Sequence, residues 1–413
     1  MSVVKPIGVH ALVRRTHEDR VLVALRERGA LSRSELATVV GLSRTTLSEI
    51  TGSLLARGAI IVVDTDATSR SGSGRPAERL ALDPRSGQYL GVDFGHRRVQ
   101  VAVADASHEI IASGSARYDD GIDWRARLDT TFALIEEVSS ERGTHFGALQ
   151  AVGIGVPGPY ARTTTAEPGM SWGRREPAEG IDEAFHDRFG ARVVVDNNTR
   201  FAALAEALSI GSSGGDDVIY LRLSDGVGGG LVIGGRLVVG SAGLAGELGH
   251  VAVAGGTRSC RCGKTGCLET VAATPEILAE CRRRGVDVND LDDLRREVAR
   301  AHPVVDAVLR DIGGAVGRAL GTAAMTLNPS SIVLGGPVVD VAPALVDAAR
   351  SALRFELASI SPALPDFRTS TLGDLAGAVG AIAAVFRESP LLANYPGVAD
   401  AVTPSPTMRS SIR

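Results

Sequence analysis

Apolar positions recur at helical spacing three times within the first sixty residues. Val21, Leu22 and Leu25 mark one stripe in a segment over 18–28. Leu36, Val39 and Val40 mark a second, behind Ser32-Arg33-Ser34-Glu35. Leu47, Ile50 and Leu54 mark a third that begins near Ser43. Intervals of three and four place each set on one helix face. Ser32 and Glu35 form a capping box, each satisfying the other's orphan backbone donor. Gly41 is placed to make the turn between the second and third helices, and Ser43 is a good N-cap. The period then shortens. Residues 59–63 and 78–82 read as two strands around a polar, Gly/Ser-rich stretch over 64–77.

Beyond residue 88 the pattern alternates short apolar runs with turns. Strands are predicted at 89–94, 99–104, 109–113 and 151–156, with a helix over 124–142. A tight turn, Pro157-Gly158-Pro159, closes the last strand. Residues 217–240 repeat the opening as strand, glycine-rich turn, strand, strand. An internal duplication of this kind predicts two α/β lobes with a cleft between them. The pattern fades after residue 385, and 395–413 reads as a loose tail.

The 413-residue length supplies material for two or three domains. No apolar run reaches the ~18 residues of a membrane span, and the N-terminus lacks a signal-peptide pattern. The net charge of −4 argues weakly against a nucleic-acid protein, but its distribution changes that picture. Residues 1–85 hold 13 Lys+Arg against 9 Asp+Glu, a net of +4, so the remainder carries −8. A basic head on an acidic body points to DNA.

The third helical segment then gains chemistry. Ser43, Arg44, Thr45, Thr46 and Ser48 lie at its N-terminus or on the face opposite the apolar stripe. Short hydroxyl and arginine side chains there suit contacts to base edges and phosphates. Helix, glycine turn, helix and two strands around a loop read as a winged helix-turn-helix for double-stranded DNA. Arg75, between Gly74 and Pro76, is a candidate for the minor groove. A plain solvated helix face and an ordinary linker are the competing readings of these two features.

Three of the four cysteines, Cys260, Cys262 and Cys267, fall within eight positions, and His250 lies ten residues upstream of the first. Three thiolates and one imidazole suit a closed tetrahedral Zn2+ site of structural type. Gly263 and Gly266 would let the loop wrap an ion. Such thiols must stay reduced, which fits the cytoplasm. The remaining Cys281 reads as a buried small hydrophobe.

These residues carry a family resemblance over nearly the whole chain. The stretches Gly153-Ile-Gly-Val-Pro-Gly-Pro159, Gly246-Glu-Leu-Gly-His250, the cysteine motif over 260–269, Asn328-Pro329 and Gly335-Gly336 resemble the ROK family of repressors, open reading frames and kinases. The N-terminal head is similar to the repressor branch. The resemblance implies an α/β body of actin/hexokinase-like fold, a duplicated ribonuclease H-like unit, with a sugar or sugar-phosphate site between lobes. The implied division is a head over 1–83, with its wing at 64–77, and a first lobe over 84–198 completed by a helix over 374–388. The second lobe covers 199–373 and carries the zinc loop at 250–269. By resemblance, Asn197, Asn198, Glu247, His250 and Glu269 contact sugar hydroxyls.

Set against the family's kinases, three loops depart from the pattern. Asp93-Phe94-Gly95-His96-Arg97 stands where the kinases resemble Asp-x-Gly-Gly-Thr. Ser224-Asp225-Gly226-Val227-Gly228-Gly229-Gly230 places a carboxylate in the second phosphate loop, where it would repel polyphosphate. Asn198 takes the position of the general-base aspartate, and a neutral amide cannot accept a proton near pH 7. The expectation is a sugar-responsive transcriptional regulator, a repressor of carbohydrate-related genes, without enzyme activity and working as a homodimer or homotetramer. The alternatives are a sugar kinase with a regulatory head, a regulator controlled by a protein partner, and a head that makes only protein contacts.

Overall fold

The computed structural model describes residues 9–63, 78–105, 108–119, 121–158, 160, 180–211, 215–359 and 363–387. The N-terminal part comprises α1 (Val9–Arg28), β1 (Leu31–Ser32), α2 (Arg33–Val40), α3 (Arg44–Ala56), β2 (Ile60–Val63) and β3 (Arg79–Leu82). The expected capping box is formed, with both the Ser32 and Glu35 side chains engaged. Gly41 ends α2 at φ 62°, and Ser43 caps α3 by accepting from the Thr46 amide at 3.2 Å. The predicted stripes are buried together, except that Val39 is only half-buried at the edge of the core, because its position on the short helix faces partly to solvent. Val21, Leu22, Leu25, Leu36, Val40, Leu47, Ile50 and Leu54 share one core, closed by Ile60 and Leu80 from the sheet of order β1-β3-β2. α1 starts nine residues before the expected 18. No proline or glycine interrupts 9–17, so backbone hydrogen bonding extends the helix beyond its buried stripe. The wing stretch 64–77, with Arg75, and the tail 395–413 lie outside the described residues.

The body continues with β4 (Tyr89–Phe94), β5 (Arg98–Ala104), β6 (Ile110–Arg117), α4 (Trp124–Arg142), β7 (Ala151–Val156), α5 (Ile181–Phe189) and β8 (Arg192–Asn197). α6 (Asn198–Ile210) leads to β9 (Val218–Leu223), β10 (Val227–Ile233) and β11 (Arg236–Leu237). After a short 3-10 turn at Leu248–His250 come α7 (Glu269–Ala272), α8 (Thr274–Arg283), α9 (Leu291–Ala299), α10 (Pro303–Leu327), β12 (Ser331–Gly335), α11 (Pro337–Val341), α12 (Pro343–Leu357), β13 (Asp366–Thr369) and α13 (Ala376–Arg387). Two five-stranded sheets result, ordered β6-β5-β4-β7-β8 and β11-β10-β9-β12-β13. In each, the first three strands in sequence pair antiparallel and the last two add in parallel. The repeat seen in the sequence is therefore a repeat of topology.

Helices α6 and α13 pack against each other between the sheets, α13 on β4 and β7, α6 on β9 and β10. Glycines allow this closeness. A Cβ on Gly91 would fall 2.0 Å from the Ala378 carbonyl, one on Gly153 2.2 Å from that of Ala381, and one on Gly380 1.7 Å from that of Phe201. One sequence expectation is corrected here. The stretch over 226–230 is not mainly a turn: only Ser224-Asp225-Gly226 turns, and Gly228, Gly229 and Gly230 lie within β10. A Cβ at 228 would meet Thr199 Oγ1 at 2.3 Å, and one at 229 the Gly246 carbonyl at 2.1 Å. The glycines are there for close approach by α6 and the chain before Glu247. Among the described residues no helix is long and apolar enough to cross a membrane.

Candidate functional site

Parallel strands of both sheets end at one open cleft, which encloses about 900 Å3 when the solvent at its mouth is included. The end of β4 brings Gly95 and His96, the turn after β7 brings Pro157 and Gly158, and the junction of β8 and α6 brings Asn197, Asn198 and Thr199. The second sheet contributes Arg222, Ser224, Asp225, Gly226, Val227 and Gly228. Glu247, His250, Arg261, Cys262 and Glu269 complete the lining, with Arg98 from β5. Ligand crevices in α/β sheets form at such carboxyl ends. All five residues expected to face a sugar thus line one cavity.

Their side chains are not equally available. Asn197 is the N-cap of α6: its Oδ1 accepts from the amides of Thr199 (2.8 Å) and Arg200 (3.1 Å), while Nδ2 donates to the Gly158 carbonyl at 2.6 Å. One N–H remains for a ligand. Asn198 Nδ2 donates to Asp93 Oδ1 at 2.9 Å and to the Phe94 carbonyl at 3.0 Å, and its Oδ1 accepts from Thr199 Oγ1 at 3.3 Å. One lone pair remains. Glu269 Oε2 accepts from the Val227 amide at 3.1 Å and from Arg261 at 2.8 Å. Burial raises the pKa of Glu247; the Arg200 charge partly opposes this and the Glu269 carboxylate adds to it.

The cysteine loop is folded as a cage. The ligand atoms of His250, Cys260, Cys262 and Cys267 all lie within 4.8 Å of one another. His250 Nδ1 is 3.6 Å from Cys260 Sγ, and Cys262 Sγ is 3.6 Å from Cys267 Sγ. A tetrahedron of ~2.3 Å Zn–S bonds has edges of about 3.8 Å, so the cage fits that ion. Gly263 and Gly266 turn at φ 88° and 76°. The Lys264 ammonium donates to the His250 carbonyl at 2.6 Å, tying the loop to the residue that serves both cage and cavity. Without a cation, burial pushes the Cys267 thiol up to about 12, with hydrogen bonds from Cys262 and Cys260 adding to the shift. A thiol in that state needs a positive ion to ionise. Cys281 lies away from the cage, buried in the core of the second sheet's helices.

Two buried arginines at or beside this site are not among the residues expected from the sequence. Arg222 sits on β9 between Leu221 and Leu223, and its Nη1 faces Asp93 Oδ2 at 3.4 Å across the two sheets. A charge inside an apolar strand was the available signal. Arg200 is buried on α6, donating to the Gly243 carbonyl at 2.6 Å and the Tyr160 carbonyl at 2.9 Å, and pairing with Asp196. It joins the chain at Tyr160 to the chain at Gly243, and only the tertiary arrangement reveals that. In the N-terminal part, Ser43, Arg44, Thr45 and Ser48 are exposed and Thr46 is half-buried. Ser43 is engaged as the cap, leaving Arg44, Thr45 and Ser48 as the open face of α3.

The chain is similar to known proteins of two kinds. A putative xylose repressor from Caldicellulosiruptor sp. is 26% identical over 347 residues, covering 80% of this chain and 85% of the repressor. The crystal structure of a ROK family glucokinase from Streptomyces griseus, with glucose and AMPPNP, is 27% identical with a TM-score of 0.61, covering 72% of this chain and 99% of that one. A ROK family transcriptional regulator homologous to the E. coli MLC protein shares the fold over 92% of this chain and 98% of its own, at 24% identity and a TM-score of 0.62. These likenesses support a mixed α/β body of actin/hexokinase-like fold. The profile of the ROK family matches residues 89–388, well over half of the chain, and the protein belongs to that family.

Proposed function

We propose that this chain is a sugar-responsive, DNA-binding transcriptional regulator, a repressor of carbohydrate-related genes, in which phosphoryl transfer has been lost and ligand binding kept. The observation that carries the reading is the state of position 198. The residue is a neutral amide with both N–H groups engaged by Asp93 and Phe94, so nothing there can take a proton from a sugar hydroxyl. The rest of the pocket keeps hydroxyl-binding groups in Asn197, Glu247, His250 and Glu269. The similarity to a putative xylose repressor supports the same reading.

In this reading residues 1–83 form a winged helix-turn-helix head. Arg44, Thr45 and Ser48 meet operator DNA, Ser43 and Thr46 hold the start of α3, and Arg75 reaches into the minor groove. His250, Cys260, Cys262 and Cys267 hold a structural Zn2+ that braces the loop bearing Glu269. Two heads in a dimer, or in a pair within a tetramer, must match half-sites about 34 Å apart, and a change in lobe closure on sugar binding alters that match.

Gel-shift assays with DNA from upstream of neighbouring carbohydrate genes test the proposal. A retarded complex that a sugar from a panel releases is the expected result, and Arg44→Ala should weaken the complex. Failure of every such fragment to bind would end the reading. The likeness to a glucokinase keeps a second activity worth measuring. Incubation with ATP and the same sugars should give no turnover above background, and turnover abolished by Asn197→Ala would establish a kinase instead.

A further inference from the structure

We propose that the effector is an uncharged, unphosphorylated sugar, and that the cavity rejects the corresponding sugar phosphate. This rests on the sugar-sensing reading above and adds the chemical class of the ligand. Three arginines line the cavity, and each already faces a carboxylate. Arg98 pairs with Asp374, Arg222 Nη1 lies 3.4 Å from Asp93 Oδ2, and Arg261 Nη2 lies 2.8 Å from Glu269 Oε2.

Two of these pairs are built into the backbone. Asp93 is clamped by α13, where a Cβ on Gly377 would fall 2.2 Å from Asp93 Oδ2. The Arg261–Glu269 pair lies on the turn before β10, where a Cβ on Gly226 would fall 2.9 Å from Glu269 Oε2 and 3.0 Å from Arg261 Nη2. Side chains at 226 and 377 would displace the pairs, so the glycines and the pairs belong together.

Two further carboxylates line the same cavity, Asp225 and Glu247. Neither has a hydrogen bond or an ion pair among the described residues. A phosphate monoester carries about −1.5 to −2 charges near pH 7 and requires donors or free cations. In this cavity it would meet two unpaired carboxylates. Freeing Arg222 for it would strand Asp93, which is 2% exposed, and an uncompensated buried charge is strongly unfavourable. His250 belongs to the cysteine cage, so His96 is the remaining basic side chain of the lining outside it, one imidazole set against two carboxylates. Sugar hydroxyls fit where phosphate does not, because they donate to Asp225 and Glu247 and accept from the remaining Asn197 N–H.

Calorimetric titration of the full-length protein with matched pairs decides the matter: D-glucose against glucose 6-phosphate, N-acetyl-D-glucosamine against its 6-phosphate, and D-xylose against xylose 5-phosphate. One neutral sugar should bind, with its phosphate weaker by about tenfold or more. Asp225→Asn, near-isosteric on a surface turn, should narrow that gap by about fivefold. A phosphate that binds as tightly as its parent sugar, or tighter, overturns the inference while leaving the sugar sensor intact. A gap untouched by Asp225→Asn removes the electrostatic basis claimed for it. Binding by no member of any pair defeats the sugar-sensing reading itself, and the inference falls with it.

Discussion

A carboxylate at position 198 would stand against the Asp93 carboxylate, in the place where the Asn198 amide now donates at 2.9 Å. The amide is therefore matched to the Asp93–Arg222 pair as well as unfit to be a base. Glu247 shows the opposite electrostatic state. Burial, reinforced by Glu269 and partly opposed by Arg200, raises its pKa. The folded protein then holds this proton more tightly than the unfolded chain. Ionised Glu247 therefore destabilises the fold. The cost is complete above the raised folded pKa, shrinks as pH falls through that value, and vanishes below the unfolded pKa. Glu247→Gln should raise Tm near pH 8, with the gain shrinking toward about pH 4, as thermal scans across pH would reveal. The same variant should bind sugar more weakly. Cys262→Ser should lose the metal and weaken sugar affinity by about tenfold, because the cage and the cavity share His250 and Cys262. Metal content by atomic absorption and sugar titration check it; metal loss with unchanged sugar affinity would refute the brace. The cage was legible in the sequence because its ligands are close along the chain. The engagement of Asn197 and Asn198 was not, because their partners come from β4 (Asp93, Phe94) and from the turn after β7 (Gly158).

Among elements, short-range signals suffice where the structure they specify is itself local. The capping box at Ser32, the cap at Ser43 and the helix Trp124–Arg142 follow from short-range spacing alone. The glycines of β10 lie in a strand where the sequence suggests a turn, because a glycine needed for close packing looks, in one dimension, like a glycine needed for a turn. Thr199 and Gly246, which need that space, are distant or on another element. The junction of α6 and α13 depends on the same device. Gly380→Ala would put a methyl group 1.7 Å from the Phe201 carbonyl, so the helices must separate. A loss of about 3 kcal/mol is expected in denaturant unfolding, far above the small gain an alanine normally gives a helix. An unchanged midpoint would show that the two helices do not pack as described.

For the whole molecule, the seat of the N-terminal part on the body matters most. Ala148, from the loop before β7, is buried in the same core as Leu47, Ile50 and Leu54 of α3. The His145 ring lies against Gly58, where a Cβ would be 2.7 Å from Cε1, and His145 Nε2 is 3.3 Å from Asp83 Oδ2. β7 runs from this seat to Pro157 and Gly158 in the cavity wall, so one strand links the ligand site with the end of α3. Gly147→Val would press on the Arg57 carbonyl, which a Cβ at 147 approaches to 2.9 Å. Amide exchange at Gly58 and Ala59 should then speed up, and sugar should release DNA less completely while still binding with unchanged affinity. Full release with unchanged exchange would dismiss the seat as a coupling element. The sequence by itself determined the helix caps, the strand periods and the Cys/His cage, since each rests on neighbours within about twenty residues, and the repeated half, since a pattern can be compared with itself at any separation. Only the tertiary structure decided which charges are paired, which amides remain free for a ligand and where head and body touch. Those outcomes depend on contacts between residues as far apart as Asp93 and Arg222, and no spacing along the chain encodes a distance across two sheets.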